Sequence, residues 1–349
     1  MRAMSQTTAA SISAVAGVSA APRTLFLTDR DLGALADWRA AVDALRTAYG
    51  TDFDPQSVPP RSMARVPGTW LRSLTAISPV SGYLGCKLIS ASPRLRRASY
   101  LISLFDPQTM GLAALMDGNQ ITGIRTAATA AVAVDALAPA RPLKVAVLGS
   151  GFEARGQLEA LAATRPIAAC TVFSPTPEKR QRFADELGRK LSLDLRAVEE
   201  PQLAVAGADV VLCAARARGE VPVLNGRWLE AGMTVVSVGS TLPEQREVDV
   251  EAIDRAQAIV ADMPEEVVHE TGDMRAATAA GSDFAAKLMS LADLIGGRRV
   301  ARRTAADIVI YKSVGSALQD VVIAEMLYAQ AVAKGQGTFL PVSIEPVVK

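Results

Sequence analysis

The sequence predicts an α/β protein in two parts, a doubly wound parallel sheet and a smaller α+β unit ahead of it. Three observations carry that prediction. The apolar run Val145-Ala146-Val147-Leu148 leads straight into Gly149-Ser150-Gly151-Phe152-Glu153-Ala154. From Leu143 onward, strand-like and helix-like segments alternate, the pattern of a parallel sheet with crossover helices. Before Ile121, strand-like runs are separated by turns instead of helices.

In chain order, the first 22 residues are rich in Ala, Ser and Thr and hold no solid apolar core of the signal-peptide kind. They read as a flexible tail. Leu32 to Tyr49 has apolar residues near helical spacing. Thr28 can cap that helix, with Asp31 three residues on. Strand-like runs follow at Trp70 to Ile77, Tyr83 to Ser90 and Ser99 to Asp106. Asp106-Pro107-Gln108-Thr109 and Met116-Asp117-Gly118-Asn119 read as hairpin turns. The region thus reads as a mostly antiparallel unit opened by a helix. Thr126 to Leu137 predicts an Ala-rich helix leading out of it. Parallel strands are then expected at 143–148, 169–174, 193–198, 208–215, 234–240 and 256–262, with another at Asp307 to Tyr311. Ala317 to Ala333 reads as one long apolar-faced helix stopped by Lys334-Gly335-Gln336-Gly337. It is expected to return to the first unit. The division is residues 23–125 joined by 318–349, and 126–317.

The glycine turn has the GxGxxA form. Gly149 allows the tight turn, Gly151 lets the backbone approach a pyrophosphate, and Ala154 lets the helix pack close to its strand. N–H groups at the helix start would hold the phosphate charge. Strand, turn and helix stand in the order that a Rossmann-type dinucleotide site requires. The whole turn, with Ser150, Phe152 and Glu153, is the expected cofactor contact. A site strict for NAD usually carries an acid at the end of the second strand, binding the ribose hydroxyls. Here Ser174 stands there, followed by Thr176, Lys179 and Arg180. A small residue leaves room for a 2′-phosphate, and the cations can offset its charge. The sequence therefore leans to NADP(H), with NAD(H) as the alternative; the rival reading of Lys179 and Arg180 is a solvated helix turn.

Composition excludes several classes. The chain has 349 residues and a formal net charge of +1, against the basic excess of most nucleic-acid binders. No apolar stretch reaches the roughly 18 residues of a membrane helix. Cys86, Cys170 and Cys213 are far apart and odd in number, which fits a reducing, cytoplasmic setting. One histidine, His269, and no CxxC pair argue against a zinc site or a Cys-His nucleophile.

Three cations sit in surroundings too apolar or too tightly turned for ordinary surface charge. Arg61 follows two prolines. Lys87 lies in the run Gly85-Cys86-Lys87-Leu88-Ile89. Arg125 lies in Thr122-Gly123-Ile124-Arg125-Thr126-Ala127-Ala128, read as the start of the Ala-rich helix, a poor place for a cation unless an anion binds there. An Arg fork matches the two oxygens of a carboxylate. Structural ion pairs are the plainer alternative.

Taken with Gly149-Ser150-Gly151, the segment Thr122 to Ala128 resembles the ornithine cyclodeaminase/mu-crystallin family. Lys312-Ser313-Val314-Gly315-Ser316-Ala317-Leu318-Gln319-Asp320 is similar to its FKSVGxALQD element, and Pro60-Arg61 and the Lys87 run match in order and spacing. The resemblance covers roughly Thr28 to Lys334. It implies a homodimer built through the first unit, which would also bind substrate. It implies that Arg61 and Arg125 hold an α-carboxylate, that Lys87 sits near the reacting C–N centre, and that Ser313, Val314 and Gly315 lie beside the nicotinamide, with Thr126 also on the cofactor side. Members of this family move a hydride between nicotinamide and a carbon bearing an amine or imine.

The sequence departs from the family at one point. Cyclodeaminases carry GxDxPGKxELD after the fifth strand of the parallel sheet, and the first Asp is their acid/base. Here the segment reads Gly239-Ser240-Thr241-Leu242-Pro243-Glu244-Gln245-Arg246-Glu247-Val248-Asp249. Thr241 stands in the Asp position, where a hydroxyl cannot serve as a general base near neutral pH. Reduction of a preformed imine asks less: a held carboxylate, excluded water and one proton on nitrogen. Lys87 with Thr241 orienting can supply that. The sequence thus points to an NAD(P)H-dependent reductase of a small ketimine carboxylate. Its rivals are an ornithine cyclodeaminase, a linear imino-acid reductase or amino-acid dehydrogenase, and a non-catalytic binding protein. Glu244 is a weaker candidate acid. His269, the pairs Glu199-Glu200 and Glu265-Glu266, and the arginines at 298, 299, 302 and 303 read as solvated surface.

Overall fold

A computed structural model describes residues 23–215 and 221–347. The expected tail, residues 1–22, lies outside the described residues. In chain order the strands are β1 Leu25–Leu27, β2 Ser62–Val66, β3 Thr69–Ile77, β4 Leu84–Ser92, β5 Arg97–Phe105, β6 Leu112–Asp117, β7 Leu143–Leu148, β8 Ile167–Phe173, β9 Leu195–Ala197, β10 Val210–Cys213, β11 Thr234–Ser237, β12 Ala258–Ala261, β13 Leu288–Ser290, β14 Val309–Lys312 and β15 Thr338–Phe339. The α-helices are α1 Asp29–Leu35, α2 Trp38–Gly50, α3 Gly118–Leu137, α4 Phe152–Thr164, α5 Pro177–Leu191, α6 Pro201–Val205, α7 Val250–Arg255, α8 Pro264–Glu270, α9 Gly272–Ala279, α10 Leu291–Ile295 and α11 Ala317–Lys334.

Two sheets result. The first has the order β15-β1-β6-β5-β4-β3-β2, antiparallel except where β1 runs parallel to β6. The second has the order β13-β12-β14-β11-β10-β7-β8-β9 and is parallel throughout. Strand order reverses beside β7, with β8 on one side and β10 on the other. That reversal is where a parallel sheet opens a ligand crevice at its carboxyl edge.

Helix α3 lies between the sheets. Its Ala-rich sequence is buried over most of its circumference, the signature of a helix packed on every side. It touches β5 in the first sheet and β11 and β14 in the second. Helix α11 covers β3, β4 and β5 of the first sheet. On that covered face, Arg72 of β3 sits opposite Ile89 of β4, and Leu74 sits opposite Lys87. The other face exposes Leu71, Leu88 and Leu101.

Several local expectations need correction. The Thr28–Asp31 capping box is present, but Leu32 to Tyr49 is two helices. Asp37 caps the second, its side chain accepting from the Ala40 amide at 3.0 Å, and that competing cap breaks the run. The first unit opens on β1, not on a helix; three residues are too few to show a period. Met116 to Asn119 is no hairpin turn. Asp117 accepts from the Asn119 amide at 2.9 Å and caps α3, which therefore starts at Gly118. Arg125 is two turns inside the helix, not at its start, and the helix-dipole argument for an anion beside it falls.

Candidate active site

Lys87 is 1% exposed, in the middle of an apolar strand face. Its Nζ donates to Thr122 Oγ1 of α3 at 2.6 Å and to Asp320 Oδ1 of α11 at 3.0 Å. Burial pulls its pKa down to about 8, against the opposing pull of the Asp320 charge, and Arg125 adds to the lowering. Arg125 Nε lies 3.2 Å from the same Asp320 oxygen, and its Nη1 donates to Gln319 Oε1 at 2.9 Å. One buried carboxylate therefore holds both cations, each from a different element.

Arg61 is the third. Its side chain is nearly fully buried against α8. The backbone amide of Arg61 donates to Glu266 Oε1 at 2.8 Å and its Nε donates to Oε2 at 2.6 Å. Nη2 donates to the Gly315 carbonyl at 2.7 Å. The solvated reading of Glu266 is thus overturned: the first turn of α8 points this carboxylate inward, where an unpaired Arg61 would be costly. Arg302 is likewise not surface; it donates to the Leu137 carbonyl at 2.8 Å and to Thr234 Oγ1 at 2.9 Å.

The segment Ser313-Val314-Gly315 leaves β14 and bends around Asp262 at the end of β12. Asp262 accepts from Ser313 Oγ at 2.5 Å, from the Val314 amide at 3.1 Å and from the Gly315 amide at 2.8 Å. Those N–H groups are consumed, so the carbonyls of Val314 and Gly315 are what the segment turns toward Arg61. Gly315 has φ +81°, and a Cβ there would run into the Arg125 guanidinium.

The dinucleotide turn stands at the strand-order reversal. Gly149 has φ +128°, and a Cβ on it would come within 2.7 Å of the Ala214 carbonyl oxygen beyond β10. At Gly151 a Cβ would meet nothing within 4 Å. Gly151 caps α4 without a side-chain bond, and Ala154 is fully buried behind it. Open space before a bare helix N-terminus fits a pyrophosphate. Ser150 Oγ donates to Ser174 Oγ at 2.9 Å, tying the turn to the end of β8. Arg180 reaches back to the Ser174 carbonyl at 3.1 Å, while Lys179 is exposed and Thr176 forms the N-cap of α5. Thr126 is buried in α3.

Helix α3 also joins the two halves of the site. A Cβ on Gly123 would come within 2.5 Å of the Phe152 ring, so the glycine admits the first side chain of α4. In one stretch, Thr122 meets Lys87, Gly123 meets the dinucleotide turn, and Arg125 meets Asp320.

Thr241 lies in the loop after β11, its amide donating to Gln245 Oε1 at 3.2 Å. Glu244 is exposed. The loop is pinned from beneath by Glu247, which accepts from Ser237 Oγ at 2.7 Å, from the Gly239 amide at 2.8 Å and from the Ala215 amide at 3.0 Å. Burial raises the Glu247 pKa to about 7, with Lys312 opposing. Lys312 pairs with Asp273 at 2.9 Å and donates to the Ser240 carbonyl at 3.0 Å. These are positioning residues for the Thr241 loop.

Sequence reasoning missed Asp320 and Glu266 as partners and Arg72 altogether. Asp320 closes a segment singled out in sequence, but no spacing rule links it to Lys87, 233 positions away. Arg72 has a signal: a cation at an inward position of the alternating run Trp70 to Ile77.

Comparison with known proteins agrees with this architecture. The family model described as ornithine cyclodeaminase/mu-crystallin family matches residues 73–335. The chain belongs to that family. It is similar to a Delta(1)-pyrroline-2-carboxylate reductase of Bacillus cereus, at 30% identity over 73% of this chain and 79% of the relative. It is also similar to the ketimine reductase mu-crystallin of Mus musculus, at 32% identity over 65% and 68%. Among solved structures, the Delta(1)-pyrroline-2-carboxylate reductase of Thermococcus litoralis, in complex with NADH and L-proline, superposes with a TM-score of 0.84 at 28% identity, covering 91% of this chain and 100% of that one.

Proposed function

We propose that this protein is an NAD(P)H-dependent oxidoreductase that reduces a small ketimine carboxylate to the L-amino acid. Δ1-pyrroline-2-carboxylate and Δ1-piperideine-2-carboxylate are the cyclic cases; a linear imino acid is the open-chain one. The observation that carries this reading is the single stretch of α3 that links Lys87 and the Arg125–Asp320 pair to the dinucleotide turn. The relatives' names add their weight to the same chemistry.

The nicotinamide, when bound, supplies the hydride. Gly149, Ser150 and Gly151 would receive the pyrophosphate, with Ala154 packing the helix close behind them; Ser174, Thr176 and Arg180 would face the adenosine ribose. The absence of an acid at Ser174 supports NADP(H), with NAD(H) also accepted. Arg61 and Arg125 hold the substrate carboxylate, and Glu266 and Asp320 keep the two guanidinium groups in place before it arrives. Lys87, with a pKa near 8, is protonated at neutral pH and poised to keep a proton on the imine nitrogen. Hydride addition at the imine carbon would leave the nitrogen as the amine, with Lys87 holding the proton that the nitrogen keeps. Thr241 orients without taking a proton, which sets the reading against deaminative cyclisation.

Residues 23–125 with 318–349 form the substrate-binding unit and 126–317 the dinucleotide unit in this reading. The face bearing Leu71, Leu88 and Leu101 suits a homodimer contact through the first sheet, and the free thiols of Cys86, Cys170 and Cys213 suit the cytoplasm. The test is oxidation of NADPH and NADH by cyclic imines beside ammonia release from ornithine. Imine turnover without ammonia release is expected; ammonia release with no imine turnover would install the cyclodeaminase reading.

A further inference from the structure

Arg72 is a buried cation that the chemistry above does not use. It is 7% exposed, on the same strand face as Lys87 and one residue pair away across β3 and β4. The three buried cations of the candidate site each have a carboxylate. Lys87 and Arg125 share Asp320, and Arg61 has Glu266, with Glu270 at 3.7 Å. Arg72 forms no hydrogen bond or ion pair among the described residues, and its Nε is buried without a partner. Its guanidinium carbon lies over the Trp70 ring, 5.1 Å from the ring centroid. A ring against the guanidinium face leaves the in-plane N–H groups for something else. A buried guanidinium with open donors is costly in an unliganded fold, and a ligand that fills them removes that cost.

The charges facing Arg72 are Arg61 and Arg65, and the carboxylates Glu266 and Glu270. Glu266 is already spent on Arg61, and Glu270 is partly solvated. Arg61, Lys87 and Arg125 divide Glu266 and Asp320 among themselves, and neither carboxylate pairs with Arg72. A protonated imine with one carboxylate offers a single anionic group, already assigned to Arg61 and Arg125. A protonated imine with two carboxylates brings one negative charge, with a bidentate geometry that the Arg72 fork matches.

We propose that Arg72 forms a second anionic subsite, which selects imino acids whose side chain ends in a carboxylate. The inference rests on the imine-reductase reading and narrows its substrate class. Arg72 is a specificity-determining residue here, with the α-carboxylate left to Arg61 and Arg125.

The test compares initial rates of NADPH oxidation with a monocarboxylic imine, Δ1-piperideine-2-carboxylate, and with the dicarboxylic imines formed from ammonia and oxaloacetate or 2-oxoglutarate. In the wild type, at least one dicarboxylic imine should exceed the monocarboxylic one in kcat/KM by about tenfold or more. Arg72→Met should cut that dicarboxylic kcat/KM by about 100-fold, mostly through KM, and the monocarboxylic value by less than about threefold; Arg72→Lys should restore part of the loss. Competition in the wild type keeps the inference falsifiable should Arg72→Met not fold. Succinate or glutarate should inhibit at least about tenfold more strongly than butyrate. A wild type that prefers the monocarboxylic imine, equal losses on both substrates, or equal inhibition by mono- and dicarboxylates would each overturn the Arg72 subsite and leave the imine-reductase reading standing. No turnover of either imine would remove both.

Discussion

Lys87→Met separates the role of a buried lysine in the fold from its role in the chemistry. In the folded chain its pKa is about 8, against an ordinary value of 10.5, because burial disfavours the charged form by more than Asp320 restores. At about 1.4 kcal/mol per unit, the charged lysine costs the fold about 3 kcal/mol at neutral pH. Between the two pKa values the unfolded chain binds the proton and the folded chain does not, so stability rises as pH climbs from about 8 toward 10.5. Methionine fills a similar volume and does not titrate. Urea unfolding of both proteins at pH 7, 8, 9 and 10 should show the wild type gaining on the variant by about 3 kcal/mol. Most of that gain falls above pH 8. Initial rates should report the same group. Wild-type kcat/KM for the imine should fall with rising pH above about 8, where Lys87 loses its proton. The variant should lose about 100-fold in kcat/KM, and its falling limb at that pH should vanish. A stability difference that does not vary with pH, or a falling limb unchanged in Lys87→Met, would refute the assignment.

Three further outcomes follow from neighbouring contacts. Asp320→Asn leaves Lys87 and Arg125 without their shared carboxylate, so it should destabilise by about 3–5 kcal/mol in urea unfolding. It should also move the falling limb of the rate profile to lower pH by about one unit or more, because the Asp320 charge raises the Lys87 pKa. Gly151→Ala and Gly149→Ala should part company: the first adds a methyl to open space, so the melting temperature without cofactor should hold while the NADPH Kd rises about tenfold or more; the second collides with the Ala214 carbonyl at φ +128° and should lower both stability and affinity. Ser174→Asp should lower the ratio of NADPH to NADH kcat/KM by about tenfold or more, since the new carboxylate repels a 2′-phosphate and accepts from ribose hydroxyls.

The parallel sheet was legible because each of its features is local. Val145 to Leu148 is a buried strand by composition, and Gly149 to Ala154 is a turn by steric need, whatever surrounds them. The first sheet was legible only in part. Its long central strands alternate visibly, whereas β1 and β15 are three- and two-residue pieces held by partners from opposite ends of the chain. The start of α3 was misplaced because Asp117-Gly118-Asn119 suits a hairpin turn and a helix cap equally well. Only the preceding strand's register against β5 decides between them. Lys87, Arg125 and Arg61 could be singled out as cations in unsuitable places. Their partners could not, since the pairing of Arg61 with Glu266 spans 205 positions and depends on which way α8 turns its first residues.

That pairing pattern bears on how the site works. A carboxylate-binding pocket needs positive charge in a place where the fold does not want it. In the proposed site the cost is offset by protein carboxylates, Asp320 under Lys87 and Arg125 and Glu266 beside Arg61, each buried and each on a helix. The guanidinium groups are therefore ordered before substrate arrives, and little orientation is left for binding to supply. The same pairing weakens each cation's pull on a ligand, because part of its field is already satisfied. Affinity then depends on whichever donors are left open, and Arg72 is the buried arginine of this face that keeps its donors open. Adding a carboxylate directly across from it, as in Ile89→Glu, should satisfy Arg72 internally and weaken binding of dicarboxylic competitors about tenfold or more, with monocarboxylic competitors less affected. Competition assays on imine reduction measure that ratio directly.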